Sequence, residues 1–388
     1  MNARKKGRFR RGKRRACIVV VSLILCGFST IFAAAEPEEV YAEQWQASGA
    51  EEWLATLPDG TKNLLEQLGV DGSSLSSITT LHPKTTAEFL LSVADGQKAV
   101  PLSVTGLLLG VLLLCSILNG LQKLPGEETL SATYKTVGVL AVCTALFLPL
   151  CDCIRRASEV MESTFVFMSS FVPVYAGVLV SSGNPTTALS FQSVVLFVSE
   201  VMTAVLSGAV TPLLTVSLGL AAAGGIDNTF PLCAISRFLN RLCTWTLGFF
   251  CTIFVGMLSL QTLVGTRADG VAIRAVRFSL ANLVPVIGNA VSEAFGTVQN
   301  CLLVLRTTLG GIGVIVTGIL VLPSLAECGW WAFLLSLCGA VADTLSFPTL
   351  SGLLKLSADV VKTLAGILVC GGLFLIISLT VVTMAARG

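Results

Sequence analysis

Long apolar runs alternate with short polar breaks over most of the chain after residue 100. A membrane-spanning α-helix needs about 20 mostly apolar residues. The pattern therefore predicts an all-α fold, a polytopic integral membrane protein with about seven to nine membrane segments. The candidate segments are Pro101–Leu121, Tyr134–Leu150, Val160–Val180, Leu189–Leu220, Leu242–Val264, Leu302–Leu322, Trp330–Leu345 and Thr363–Met384.

Two of these segments are irregular. Leu189–Leu220 is longer than one span and contains Gly208 and Pro212, so it forms either a tight hairpin or a span with a re-entrant piece. Trp330–Leu345 is short and carries Asp343, so it either spans with help from neighbours or dips in and returns. The glycines inside the spans indicate close helix packing. They include Gly106, Gly110, Gly310, Gly311, Gly313 and Gly318.

The first hundred residues differ from the rest. Residues 1–15 hold nine Arg or Lys and no acid, and an apolar run and three alanines follow. This predicts a signal peptide over 1–35 with cleavage after Ala35, and an uncleaved first anchor is the alternative. Residues 36–100 hold eleven Asp or Glu and predict an acidic extracytoplasmic segment with short helices. Residues 101–388 form the multi-span membrane domain.

Orientation follows from this order of segments. A cleaved signal places residues 36–100 outside, and the first span then runs inward. Arg155 and Arg156 would lie in an outer loop, against the positive-inside rule. We expect the basic cluster of Arg267, Arg274 and Arg277 to lie inside as a membrane-surface patch, which requires Leu189–Leu220 to cross once.

Composition supports the membrane class, since 54% of residues are hydrophobic and 12% are charged, against about 25% charged in soluble domains. The single histidine, His82, precedes the spans, so no Ser-His pair exists at membrane depth. No phosphate-binding loop and no zinc-ligand spacing occurs, and Cys151-x-Cys153 gives only a weak indication of a metal or disulfide. We predict no enzyme activity, cofactor, metal or nucleic-acid partner.

Ionisable residues within the spans are the remaining candidates. Charges inside a membrane are costly and usually face a bundle interior or a cavity, so each is a candidate for function. Glu200, in LFVSEVMTAV, is the candidate intramembrane acid, and a structural ion pair is its alternative. Glu162 and Arg306 lie near span ends, where both can reach the membrane surface.

One polar stripe stands out between residues 282 and 300. Its polar or small members recur at steps of three and four, which places them on one side of a helix. It is either an interfacial amphipathic helix, a buried helix that meets partner helices, or the lining of an aqueous path. The polar candidates for docking or conduction are Asn282, Asn289, Glu293 and Asn300.

Two blocks of sequence resemble a known family. FVPVYAGVLVSSGNPTTA (171–188) and LQTLVGTRADGVAIRAVRFSLANLVPVIGNAVSEAFGTV (260–298) are similar to stage III sporulation protein AE of endospore-forming bacteria. The resemblance implies a permease-like subunit in the mother-cell membrane around the forespore. It also implies a channel complex whose other subunits include an ATPase and ring-forming proteins. An independent small-solute transporter and a non-conducting scaffold remain alternatives.

Overall fold

The computed structural model describes residues 62, 92–93, 95–121, 128–226, 232–283 and 288–385; the side chains of 118–136, 226, 384–385 and most of 261–304 lie outside this description. Every regular element in these ranges is helical, which confirms the predicted all-α class. The helices are α1 (Ala99–Leu121), α2 (Glu128–Ser181), α3 (Pro185–Val205), α4 (Thr211–Ile226), α5 (Leu232–Leu283), α6 (Gly288–Thr344) and α7 (Pro348–Ala385), with a π-helical segment, Leu206–Val210, joining α3 to α4.

Six helical stretches in the described chain are long and apolar enough to cross a membrane, which supports the polytopic class. They are Ala99–Ile117, Val137–Ser181, Pro185–Gly225, Leu232–Leu260, Leu305–Thr344 and Pro348–Thr383. The sequence predicts more segments because it divides two of these helices. The signal peptide and most of residues 36–100 lie outside the described residues.

The expected loop between Tyr134–Leu150 and Val160–Val180 does not exist, because residues 151–159 continue the helix α2. Arg, Glu and Ala are good helix formers, so a local run of charge does not by itself end a helix. Pro149 and Pro173 lie inside α2 without ending it. The prediction of two separate spans here is wrong.

The same correction applies to α6. Leu302–Leu322 and Trp330–Leu345 belong to one helix that continues through Pro323. The intervening Glu327 is buried against α2, so its charge finds a protein partner inside the bundle and no loop is needed. Neither a hairpin nor a re-entrant piece forms at Gly208 and Pro212. The irregularity there is the π-helical segment, through which α3 continues directly into α4.

Two tight turns reverse the chain at opposite ends of the bundle. After α2, the Gly183 N–H donates to Val180 O and the Asn184 N–H to Leu179 O, each at 3.0 Å, with Gly183 at φ 84°. After α6, Ser346 takes the place of the glycine at φ 63°. Both turns are Schellman motifs, and a proline then opens the next helix.

Contacts between helices define the two ends of the bundle. At one end, here called the α1 end, a Cβ on Gly138 would come 2.6 Å from Cys115 Sγ, and Gly225 packs on Val139 and Leu353. At the other end, here called the Asp269 end, Asp269 of α5 contacts the start of α3. Long helices that follow one another in the chain therefore run antiparallel between these ends.

Glycines bring the helices together in part as predicted. Gly310 and Gly313 of α6 have no room for a side chain, since a Cβ would overlap Thr383 Cγ2 at the first and come 2.9 Å from Phe171 Cζ at the second. At Gly106, Gly110 and Gly318, a Cβ would have no such neighbour within 4 Å. Packing within this chain thus accounts for the first pair of glycines and not for the second group.

Candidate functional site: polar contacts between the long helices

An ion pair joins the middle of α2 to the middle of α6. Arg156 Nη2 donates to Glu327 Oε1 at 2.5 Å, and Arg156 Nε donates to Glu327 Oε2 at 3.3 Å. The Glu327 side chain is 9% exposed and that of Arg156 is 41% exposed. A forked arginine–carboxylate contact fixes both distance and orientation. It therefore holds the two helices in one register at mid-height.

Two buried thiols lie next to this ion pair. Cys153 Sγ and Cys328 Sγ are 3.9 Å apart, and both residues are free cysteines in α2 and α6. Cys153 precedes Arg156 by one helical turn, and Cys328 follows Glu327 directly. Cys153 thus faces a cysteine 175 residues away. The spacing Cys151-x-Cys153 gave no indication of this contact.

A third polar contact joins α2 to the start of α4. The hydroxyls of Ser158 and Thr211 are 2.7 Å apart. Thr211 directly follows the π-helical segment, and Pro212 follows it. Because proline has no N–H to donate, the helical hydrogen bonding is weakened one turn earlier, where the π-helical segment lies.

At the Asp269 end, one carboxylate caps a helix from another helix. Asp269 Oδ1 accepts the Thr186 N–H at 3.0 Å, and Asp269 Oδ2 accepts the Thr187 N–H at 2.8 Å. The N-cap residue Asn184 makes no side-chain cap bond of its own. Asp269 is 1% exposed. A negative group at a helix N-terminus also interacts favourably with the helix dipole.

This cap joins the two blocks that carry the family resemblance, since Thr186 and Thr187 belong to 171–188 and Asp269 to 260–298. Sequence reasoning missed Asp269 because the three arginines around it drew attention to a basic patch. The available signal was an acid next to glycine within that basic run. The missing side-chain cap at Asn184 is visible only in the structure.

An aromatic row fills the interior near the same end. Phe167, Phe171 and Tyr175 stack at 5.6 to 5.8 Å, and Phe191 meets Tyr175 edge-on at 5.6 Å. Arg306, expected near a span end, is the second residue of the candidate span Leu305–Thr344. Its side chain is 1% exposed and close to Tyr175, so it does not reach the surface. The interior of the described bundle thus contains a buried arginine side chain close to this aromatic row.

The predicted candidates occupy different surroundings. Glu200 lies on an exposed face of α3 and does not point into the bundle, and Glu162 lies on an exposed face of α2. Arg274 is exposed, while the side chains of Arg267 and Arg277 lie outside the described residues. In the polar stripe, Asn282 falls in α5 and the other three residues in α6, with side chains outside the described residues. Those three are Asn289, Glu293 and Asn300.

No group of three or more His, Cys, Asp or Glu with metal-site geometry occurs in the part of the chain that the structure describes. The polar contacts there are interhelical ion pairs, thiol contacts, hydroxyl contacts and a helix cap. They position helices, and they define a polytopic, all-helical membrane protein held together by a few specific polar contacts between long helices.

Comparison with known proteins identifies the family. The family model of stage III sporulation protein AE matches residues 76–386, a range that includes all seven helices. The chain belongs to the stage III sporulation protein AE family. Stage III sporulation protein AE of Bacillus subtilis (strain 168) is 28% identical over 289 residues, covering 73% of this chain and 72% of that protein. No solved structure matches.

Proposed function

We propose that this protein is a membrane-embedded, permease-like core subunit of a sporulation transport or channel complex that links mother cell and forespore. Membership of the family implies a role in stage III of sporulation. The family match over 76–386 is the observation that carries the proposal, because it includes the whole membrane bundle. The polar contacts between helices support a subunit that needs a fixed shape within an assembly.

The proposed subunit performs no catalysis of its own. The sequence contains no nucleotide-binding loop, so energy for transport comes from a partner. The partners proposed here are an ATPase and ring-forming proteins of the same complex, in the mother-cell membrane that surrounds the forespore. Membrane lipids surround the bundle.

Gene deletion tests the sporulation role. Removing this gene from the endospore-forming cell that carries it should arrest sporulation after engulfment, and the wild-type gene should restore spores. A deletion strain that completes normal, heat-resistant spores would contradict the proposal. Copurification of the tagged chain from sporulating cells, with mass spectrometry of what accompanies it, tests the proposed partners.

An independent secondary transporter is the second candidate. It is favoured by the π-helical interruption Leu206–Val210 near Glu200, because interrupted helices form the binding sites of many transporters. Solute uptake by the purified chain in liposomes, lost in Glu200→Gln, would support this candidate. The absence of uptake, together with a sporulation defect in cells, favours the complex subunit.

A non-conducting scaffold is distinguished by the polar stripe. If the chain only holds partners together, Asn289→Leu and Glu293→Gln should reduce spore formation only when they also reduce copurification of the partners. Loss of forespore development with a fully assembled complex indicates a conducting role for this stripe.

A further inference from the structure

The helices of this bundle are much longer than a membrane is thick. At about 1.5 Å per residue, Val137–Ser181 is roughly 68 Å long. Pro185–Gly225 and Leu305–Thr344 are each roughly 60 Å long. The apolar core of a bilayer is about 30 Å thick. Since these helices are continuous and packed side by side, a large part of the bundle lies outside that core.

The short helix α1 shows where the membrane lies. Its 23 residues span roughly 34 Å, which matches one crossing. Its surface is apolar, with Leu107, Leu114 and Ile117 each more than half exposed. Since Cys115 of α1 contacts Gly138 near the start of α2, α1 lies beside the α1 end of the bundle. The embedded part of the long helices is therefore the half at that end.

The exposed face of α2 changes character at the corresponding height. Below Pro149 it presents Val137, Leu140 and Leu148, which are 46% to 69% exposed. Above Pro149 the same face presents Asp152, Arg155 and Glu159, which are 55% to 63% exposed. Asp152, where this change occurs, lies about 21 Å along α2 from Gly138, the residue that contacts Cys115 of α1. Lys98, which pairs with Asp95 just before α1, lies about 25 Å along the helix from Cys115. The charges before α1 and the charges on α2 therefore lie at nearly the same height in the bundle.

The rest of this face, up to the Asp269 end, is small or polar. It carries Ser163, Ser170, Gly177 and Ser181, with Val166 and Val180 as its larger apolar members. On α3, Ser193 and Glu200 are exposed beside Leu189 and Phe197. On α5, Phe238, Trp245 and Phe249 are exposed at the α1 end, where Ser236 contacts Ser217. Leu260, Val271 and Phe278 are exposed apolar residues nearer the Asp269 end of the same helix.

Exposed charges also occur in the half of the bundle at the α1 end, on α7 and in the last turn of α6, and there they are paired. Lys355 contacts Asp343, and Lys362 Nζ lies 3.1 Å from Asp359 Oδ1. Pairing, and lysine stems that reach toward the headgroups, are the forms in which membrane segments tolerate charge. Lys355, Asp359 and Lys362 lie within the first four turns of α7, and Asp343 lies in the last turn of α6.

We propose that only the half of the bundle at the α1 end lies in the apolar core. The other half projects roughly 40 Å into the aqueous phase, on the side where the chain enters α1. The polar face of α2 from Asp152 to Ser181 is then a hydrated surface. A soluble subunit on that side meets protein surface there and not lipid. This inference uses only the membrane character of the chain and is independent of the proposed transport role.

The accessibility of one added cysteine at a time, in the full chain that keeps its own cysteines, tests the proposal. Ser170→Cys on α2 and Leu189→Cys on α3 report the projecting half. Leu148→Cys on α2 and Phe238→Cys on α5 report the embedded half; Leu148, Phe238 and Leu189 are 64% to 69% exposed, and Ser170 is exposed. Open membrane fragments are treated with a charged maleimide that does not enter lipid, and labelling of each site peptide is measured by mass spectrometry against the parent chain. We expect at least tenfold faster labelling at 170 and 189 than at 148 and 238.

Each other pattern overturns the proposal. Labelling at 170 without labelling at 189 would mean a water-filled groove within the membrane. Protection of both would mean that this half is embedded or covered, and labelling of all four would mean that the apolar half is not in lipid. Ser169→Cys replaces Ser170→Cys if that variant does not accumulate. In sealed vesicles, Lys98→Cys and Ser170→Cys should label from the same side, and labelling from opposite sides contradicts the projection.

Discussion

At the scale of single residues, Asp269 holds the start of α3 through both carboxylate oxygens. Asp269→Asn keeps one acceptor and loses the charge, so the free energy of unfolding should fall by about 1 kcal/mol. Asp269→Ala leaves the partly buried N–H of Thr186 and the buried N–H of Thr187 without this acceptor and should cost about 2 kcal/mol. Denaturant titration of the full chain in detergent measures both.

Asp152→Asn is the matched control, because Asp152 is exposed and its ion pair with Arg155 at 3.7 Å stays within α2. Its effect should stay below about 0.5 kcal/mol. Equal effects of Asp269→Asn and Asp152→Asn would show that the cap at α3 contributes nothing specific.

The Arg156–Glu327 pair makes a second prediction. Glu327→Ala leaves the partly buried Arg156 without this carboxylate and should destabilise the chain by about 2 kcal/mol, a value lowered because Arg156 is partly exposed. The double variant Arg156→Met with Glu327→Met should recover most of this loss, since packing replaces the charges. A double-mutant cycle of Arg156→Met, Glu327→Met and the double variant gives the coupling energy. Purely additive effects would contradict a direct pair.

The exposed pair Arg155–Glu159, at 2.8 Å, provides the comparison. Glu159→Gln breaks an i,i+4 pair on the surface of α2 and should change the free energy of unfolding by at most about 0.5 kcal/mol.

The two Schellman turns make a paired prediction. Ser346 adopts a left-handed conformation at φ 63°, which costs non-glycine residues about 1 kcal/mol. Ser346→Gly should therefore stabilise the chain by about 0.5 kcal/mol or more, and Gly183→Ala should destabilise it by about 1 kcal/mol. Thermal unfolding in detergent shows the two opposite shifts, and a shift of the same sign in both variants would contradict the turn geometry.

At the scale of elements, two glycines of α6 distinguish the effect of close helix packing from that of helix propensity on stability. Gly313→Ala places a Cβ 2.9 Å from Phe171 and 3.0 Å from Leu379, so it should destabilise by about 1 to 3 kcal/mol. Gly318→Ala meets nothing within 4 Å and should be neutral or stabilise by up to about 1 kcal/mol. Denaturant titration compares them directly, and equal effects would contradict the close contact of α6 with α2.

Hydrophobic runs predicted the helices well and their limits poorly. The class follows from length and composition alone, since runs of about 20 apolar residues have few other structures available. The continuity of α2 and α6 does not follow from length and composition. The charges that suggested loops, Arg156 and Glu327, pair with each other although they are about 170 residues apart. A single sequence gives no measure of such distant pairing.

The candidate sites divide in the same way. Glu200 was found from its apolar neighbours, but its exposed position depends on how α3 packs. Asp269 and Glu327 were missed because their roles arise only when another helix comes close. For the stripe from Asn282 to Asn300, the amphipathic and conducting interpretations stay predictions.

At the scale of the whole molecule, continuous α2 and α6 change the topology. Counting α2 as one crossing places the turn at Gly183 and the basic segment near Asp269 on the side from which the chain enters α1. The sequence alone places that basic cluster on the opposite side, because it divides α2 into two spans. With residues 36–100 outside, the arginines near Asp269 would lie outside as well.

The side of the membrane reached by two connections tests this account most directly. Epitope tags are inserted in residues 36–98, at the turn 182–184 and in the connection 227–231 of the full chain, and antibody access is measured in sealed vesicles of known orientation. The tag at 182–184 should be reached from the same side as the tag in 36–98, and the tag at 227–231 from the opposite side. The reverse pattern would contradict the continuous α2 and with it the six crossings of the described chain.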